Sequence, residues 1–68
     1  MEYVVILEQG PTSYAAYVPD LPGCVAVGET HEEAMQLIRE AIETHIESLR
    51  ENGELVPEPH SLVETIDV

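Results

Sequence analysis

Apolar and polar positions follow two different periods along this chain. Tyr3 to Leu7 is an unbroken apolar run rich in β-branched side chains, too short for a helix, and Gln9-Gly10-Pro11-Thr12-Ser13 behind it has turn composition. That pattern predicts a first strand and a turn. Tyr14 to Val18 then alternates, with Tyr14, Ala16 and Val18 on one face and Ala15 and Tyr17 on the other, as the second arm of a hairpin would. Pro19 and Pro22 have no backbone donor, so Pro19-Asp20-Leu21-Pro22-Gly23 cannot extend a ladder and reads as a tight, rigid connection. Cys24 to Gly28 supplies a short third strand.

From Thr30 the period changes to that of a helix. Thr30 followed by Glu33 is a capping box: the Thr30 hydroxyl accepts from the Glu33 amide, and the Glu33 carboxylate is expected to reach back to the Thr30 amide. Ala34, Leu37, Ile38, Ala41, Ile42, Ile46 and Leu49 recur at spacings of three and four, while Glu40, Glu43, Glu47 and Arg50 fall mostly on the other side. Asn52 and Gly53 end the helix, and Pro57 and Pro59 forbid its continuation. Ser61 to Asp67 has the composition of a final strand, although Glu64 interrupts the face shared by Leu62 and Ile66.

The order is therefore β-β-β-α-β, an α+β class. It predicts a three-stranded antiparallel meander, a single helix on one face, and a fourth strand parallel to strand one, reached by a right-handed crossover. One sheet face stays bare. Strand one is apolar on both faces, so a second subunit or a partner is expected to cover what the helix leaves.

Sixty-eight residues hold one domain, 1–68, with no room for a separate DNA-binding domain. A chain this small usually carries a staple, but Cys24 is the sole cysteine and the three histidines stand apart, which points to a homodimer or higher oligomer. There is no basic stretch leading into an apolar segment, and no apolar run approaches the roughly 20 residues that cross a bilayer. The expectation is a cytoplasmic protein that does not engage membranes.

Charge narrows the partner class. Fourteen acidic residues face two arginines and no lysine, for a net charge of −12. Phosphate backbones repel such a surface, which excludes direct nucleic-acid binding, while a basic protein would be steered towards it. An acidic surface also simply keeps a protein soluble, and charge alone leaves both readings open.

No catalytic or metal site emerges. Asp20, Glu29, Glu32, Glu33 and Glu40 could approach one another by chance in a chain so acidic, but the centres of the first three strands hold no carboxylate to bind a metal pair. His31, His45 and His60 form no short ligand pair, His45 belongs at the rim of the core, and Cys24 lacks a base or an electropositive setting. No cofactor is expected.

Tyr17-Val18-Pro19-Asp20-Leu21-Pro22-Gly23-Cys24, then Val27-Gly28-Glu29-Thr30, then Glu32-Glu33-Ala34 opening a long acidic helix, resembles the N-terminal domain of HicB-like antitoxins. The likeness covers most of residues 1–52. It implies a truncated ribonuclease H-like fold without nuclease activity that neutralises a HicA-like toxin, a small basic protein that cleaves messenger RNA. By motif position Asp20, Leu21, Pro22, Gly23 and Cys24 are the family turn, and Thr30 and Glu33 the helix start, all fold-forming rather than catalytic. Two other readings stay open: a metal-dependent, nuclease-like hydrolase with Asp20 and the glutamates near the helix start as ligands, and an orphan relative without a toxin. The chain lacks the DNA-binding segment of longer relatives, which puts autoregulation of its operon by this chain alone in doubt.

Overall fold

A computed structural model describes residues 1–68 in full. Three short strands, β1 (Ile6–Gln9), β2 (Tyr14–Tyr17) and β3 (Val25–Gly28), form an antiparallel meander in the order β1-β2-β3, and one helix, α1 (His31–Glu51), follows. The molecule is 16 Å across in its shortest dimension, enough for one sheet and one helix layer and nothing more.

Register comes from the first turn. Gly10 donates to the Ser13 carbonyl at 2.7 Å, which brings Gln9 opposite Tyr14 and, counting back, Ile6 opposite Tyr17. Residues 3–5 therefore project past the end of β2, where the chain has already entered the proline turn, and find no ladder partner. This shifts strand one from the expected Tyr3–Leu7 to Ile6–Gln9, although Tyr3 and Val5 still pack against the core from the same side as Leu7.

The core follows from the alternation. Ala16, Val18, Leu21, Cys24 and Ile38 form one buried cluster, with Leu7, Ala26, Ala41 and Ile42 packed against it. Tyr14 and His31 meet edge to face with ring centroids 6.1 Å apart, tying the start of β2 to the first turn of α1. The other face of the sheet carries Ile6, Tyr17 and Val25 in one cross-strand row and Glu8, Ala15 and Val27 in the next. That face is bare.

The helix start is as the sequence requires, with one difference. Thr30 has extended backbone angles and its Oγ1 accepts from the Glu33 amide at 3.0 Å, but the Glu33 carboxylate accepts from the amide of Glu29, at 3.1 Å, one residue before the expected Thr30. The reciprocal bond thus pins the β3–α1 connection as well as the cap. At the other end Asn52 caps and Gly53 takes a positive φ of 69°. Thr30→Ala is expected to lower stability by about 1 kcal/mol, with Glu32→Ala nearly silent; urea midpoints that move equally would place the cap elsewhere.

No strand forms over Ser61–Asp67. Ser61 is half-buried, but Leu62, Val63 and Ile66 beyond it are 85%, 73% and 83% exposed, and residues 62–68 make no hydrogen bond. A strand needs an edge to pair with, and the chain does not fold this segment back onto β1. The expected strand parallel to strand one is therefore absent from the single chain.

Candidate functional site

The turn between β2 and β3 is a closed knot of backbone bonds. Val18 donates to Cys24, Leu21 to Val18 and Cys24 to Leu21, each at 3.1 Å, and Gly23 supplies the positive φ of 84° that lets the chain reverse. Leu21 points inward and is fully buried, Pro22 is exposed, and Cys24 is buried as a free thiol. Burial pushes the Cys24 thiol up, away from the thiolate that nucleophilic chemistry needs.

Asp20 does more than shape this turn. Its side chain is buried and reaches a segment forty residues further along: Oδ2 accepts from the amides of His60, at 2.8 Å, and Ser61, at 3.0 Å, while Oδ1 accepts from the Ser61 hydroxyl at 2.5 Å. His60 Nε2 lies 3.1 Å from Oδ1. The Ser61 hydroxyl bond leads, with the two amides and nearby His60 adding to it, in holding the Asp20 carboxyl at about 2, below its ordinary 3.8, against the opposing effect of burial. Tyr3 adds a second tie, its hydroxyl donating to the Pro57 carbonyl at 2.5 Å. Burial raises the Tyr3 phenol, and the charges of Glu58 and Asp20 raise it further. The chain after α1 is thereby clamped against the turn and the start of the sheet.

This clasp is the feature sequence reasoning missed. Asp20 was legible as a turn residue, but nothing in local spacing connects it with His60 and Ser61. A folded-state carboxyl held below its unfolded value stabilises above pH 4, and the effect is lost as pH falls from about 4 to about 2. The amides of His60 and Ser61, corrected for intrinsic exchange, should be protected from hydrogen exchange at pH 5 and lose that protection over this window. In Asp20→Asn the protection should already be weak at pH 5, because the amide group carries no charge and turns a donor towards donors.

The remaining family-turn and cap residues stand apart from any reactive cluster. Thr30 and Glu33 are exposed and occupied with the helix start, away from the Asp20 clasp. No group of three or more His, Cys, Asp or Glu side chains converges in a metal-binding arrangement. No helix is long and apolar enough to cross a membrane.

What the molecule offers instead is surface. The bare sheet face exposes Val25 by 65% and Val27 by 61%, with Ile6 and Tyr17 beside them. Glu40, Glu43, Glu47 and Glu51 line the outer side of α1. A folded monomer of 7.5 kDa exposes about 4,200 Å², whereas this chain exposes 5311 Å².

Comparison with known proteins gives this surface a context. The model of the family described as HicB_like antitoxin of bacterial toxin-antitoxin system matches residues 3–67. The chain belongs to the HicB-like antitoxin family. The chain is 43% identical over 58 residues to a UPF0150 protein of Thermoplasma acidophilum, covering 84% of each. It is 37% identical over 67 residues to an uncharacterized 14.9 kDa protein of Haemophilus phage HP1, covering 98% of this chain and 50% of the phage protein. It is 32% identical over 59 residues to antitoxin HicB 2 of Photorhabdus laumondii, covering 87% of this chain and 42% of that antitoxin. The chain thus spans half or less of the length of two of these relatives. Among solved structures, a chain of a HicA3 and HicB3 toxin-antitoxin complex superposes with a TM-score of 0.74 at 28% identity, covering 87% of this chain and 70% of that one. The three-strand and helix architecture is that of the HicB-like domain.

Proposed function

We propose that this chain is an antitoxin module that binds and neutralises a small basic HicA-like, mRNA-cleaving toxin, and that it does so by occlusion rather than catalysis. The observation that carries the reading is the likeness, at a TM-score of 0.74, to a chain of a HicA3 and HicB3 complex, joined to the family match over residues 3–67. The net charge of −12 supports a basic partner: glutamates along α1 steer encounter, and the apolar sheet face offers contact area. The turn residues Asp20, Leu21, Pro22, Gly23 and Cys24 and the cap residues Thr30 and Glu33 act in folding. The reading sets the protein in the cytoplasm, with no cofactor.

The finer architecture belongs to the same proposal. A partial ribonuclease H-like fold has a further strand beside strand one, and β1 is an open edge where such a strand fits.

Binding to the HicA-like protein of the same genome tests the function. A tight complex is expected, with toxin RNA cleavage suppressed and affinity falling at least tenfold between 50 and 300 mM salt, because exposed charges steer the encounter and are screened. Absence of any complex, which an orphan relative would give, or magnesium- or manganese-dependent nuclease turnover by the chain itself, would overturn it.

A further inference from the structure

The segment Leu62–Val68 is a strand in composition and an orphan in structure. It holds Val63, Thr65, Ile66 and Val68, all β-branched, with Leu62, Glu64 and Asp67 among them, and none of its backbone groups is bonded. Its start is not free: the Asp20 clasp grips His60 and Ser61, so the segment leaves the domain from a fixed point with no slack before it.

An empty strand position exists in the same molecule. β1 has a partner on one side only, and residues 2–5 extend that open edge without a backbone bond of their own. Alongside it, between the edge and α1, runs a groove of about 580 Å³ floored by Val5, Met35, Ile38 and Ile42. Helix α1 is 21 residues and so about 31 Å long, and the groove follows its N-terminal part from His31 to Glu43. Arg39 stands on its rim and makes no ion pair within the chain.

The geometry points to strand exchange: Leu62–Val68 of one copy pairs with the open edge of β1 in a second copy and sets its apolar side chains into the groove beneath α1. The sheet has two open edges, β1 and β3, and β1 is the one beside the groove floored by Val5, Met35, Ile38 and Ile42, so a two-fold pair of copies fills both β1 edges at once. The surface in excess of that of an ordinary monomer, about 1,100 Å² per chain, is comparable to the ~800 Å² each partner buries in a stable interface. Glu32 and Glu43 share the groove rim with Arg39, so charge offers the segment one cationic partner at most, and the match rests on strand pairing and apolar contact. The inference does not depend on the antitoxin reading.

The test uses the full chain without toxin. Sedimentation should show a dimer, with the amides of residues 63–67 protected from exchange. Ile66→Glu, a change at a residue exposed in the single chain, should weaken dimerisation at least tenfold while circular dichroism stays unchanged; Met35→Glu should do the same from the groove side. Mixing the two variants should restore a dimer, because the intact segment of the Met35→Glu copy can enter the intact groove of the Ile66→Glu copy. A monomeric wild-type chain at high micromolar concentration overturns the proposal. So does a dimer indifferent to Ile66→Glu, protection of 63–67 within a monomer, or protection that arises only when a basic toxin is added.

Discussion

Leu21→Ala is expected to leave most of the domain unfolded at 25 °C. Leu21 is fully buried at the centre of a five-residue cluster, and the knot of bonds among Val18, Leu21 and Cys24 fixes its backbone so that the site cannot collapse around a smaller side chain. Truncating such a leucine costs about 2–5 kcal/mol. A chain under 70 residues with a single core has about 3–5 kcal/mol to lose. The two magnitudes meet, so the substitution removes most or all of the stability rather than a fraction of it. Far-UV circular dichroism and a urea titration check the result, with Leu55→Ala as the control because Leu55 is 94% exposed. A Leu21→Ala protein that keeps a midpoint close to that of the Leu55→Ala protein would show that the turn is not part of the core.

The same residue shows what a sequence discloses. Leu21 between two prolines reads as a turn residue, and the turn is there; its burial comes from the chain reversing at Gly23, which turns the side chain under α1. Helix α1 was legible almost to the residue, because capping by Thr30, the three-and-four spacing from Ala34 and the stop at Gly53 are local signals. Strand one was displaced by three residues at its start because its register is decided across the hairpin, by Gln9 meeting Tyr14, and an apolar run cannot announce its partner. The contacts of Asp20 with His60 and Ser61 span forty residues and leave no periodic trace. Leu62–Val68 has the composition of a strand, but composition cannot provide the edge that a strand must pair with. Local chemistry was readable, and pairing between distant segments was not.

Gly28→Ala is expected to destabilise the domain by about 1–3 kcal/mol, and Gly28→Val by more, for a reason unlike that of the other glycines. Gly23 and Gly53 have positive φ with open space around them, so their cost on substitution is backbone strain alone. Gly28 needs no such angle. A Cβ there would lie 2.5 Å from the amide nitrogen of Ala34, 2.9 Å from its Cα and 3.0 Å from the carbonyl carbon of Glu33. Those are backbone atoms of the first turn of α1, held in place by the Thr30 cap and the Glu29–Glu33 bond, and they cannot rotate aside as a side chain would. To make room the helix start must lift from β3, which opens the contact of buried Ala34 with the sheet and strains the cap together. Gly28→Ala should therefore couple to Thr30→Ala, the double variant losing less stability than the two single losses added, because the strained cap has already been given up in the first change. Gly10→Ala, whose Cβ would meet the Ser13 carbonyl at an ordinary 3.4 Å, is the control and should shift the urea midpoint little. If Gly28→Ala proved as mild as Gly10→Ala, or fully additive with Thr30→Ala, close approach of β3 to the helix start would not be what fixes glycine at this position.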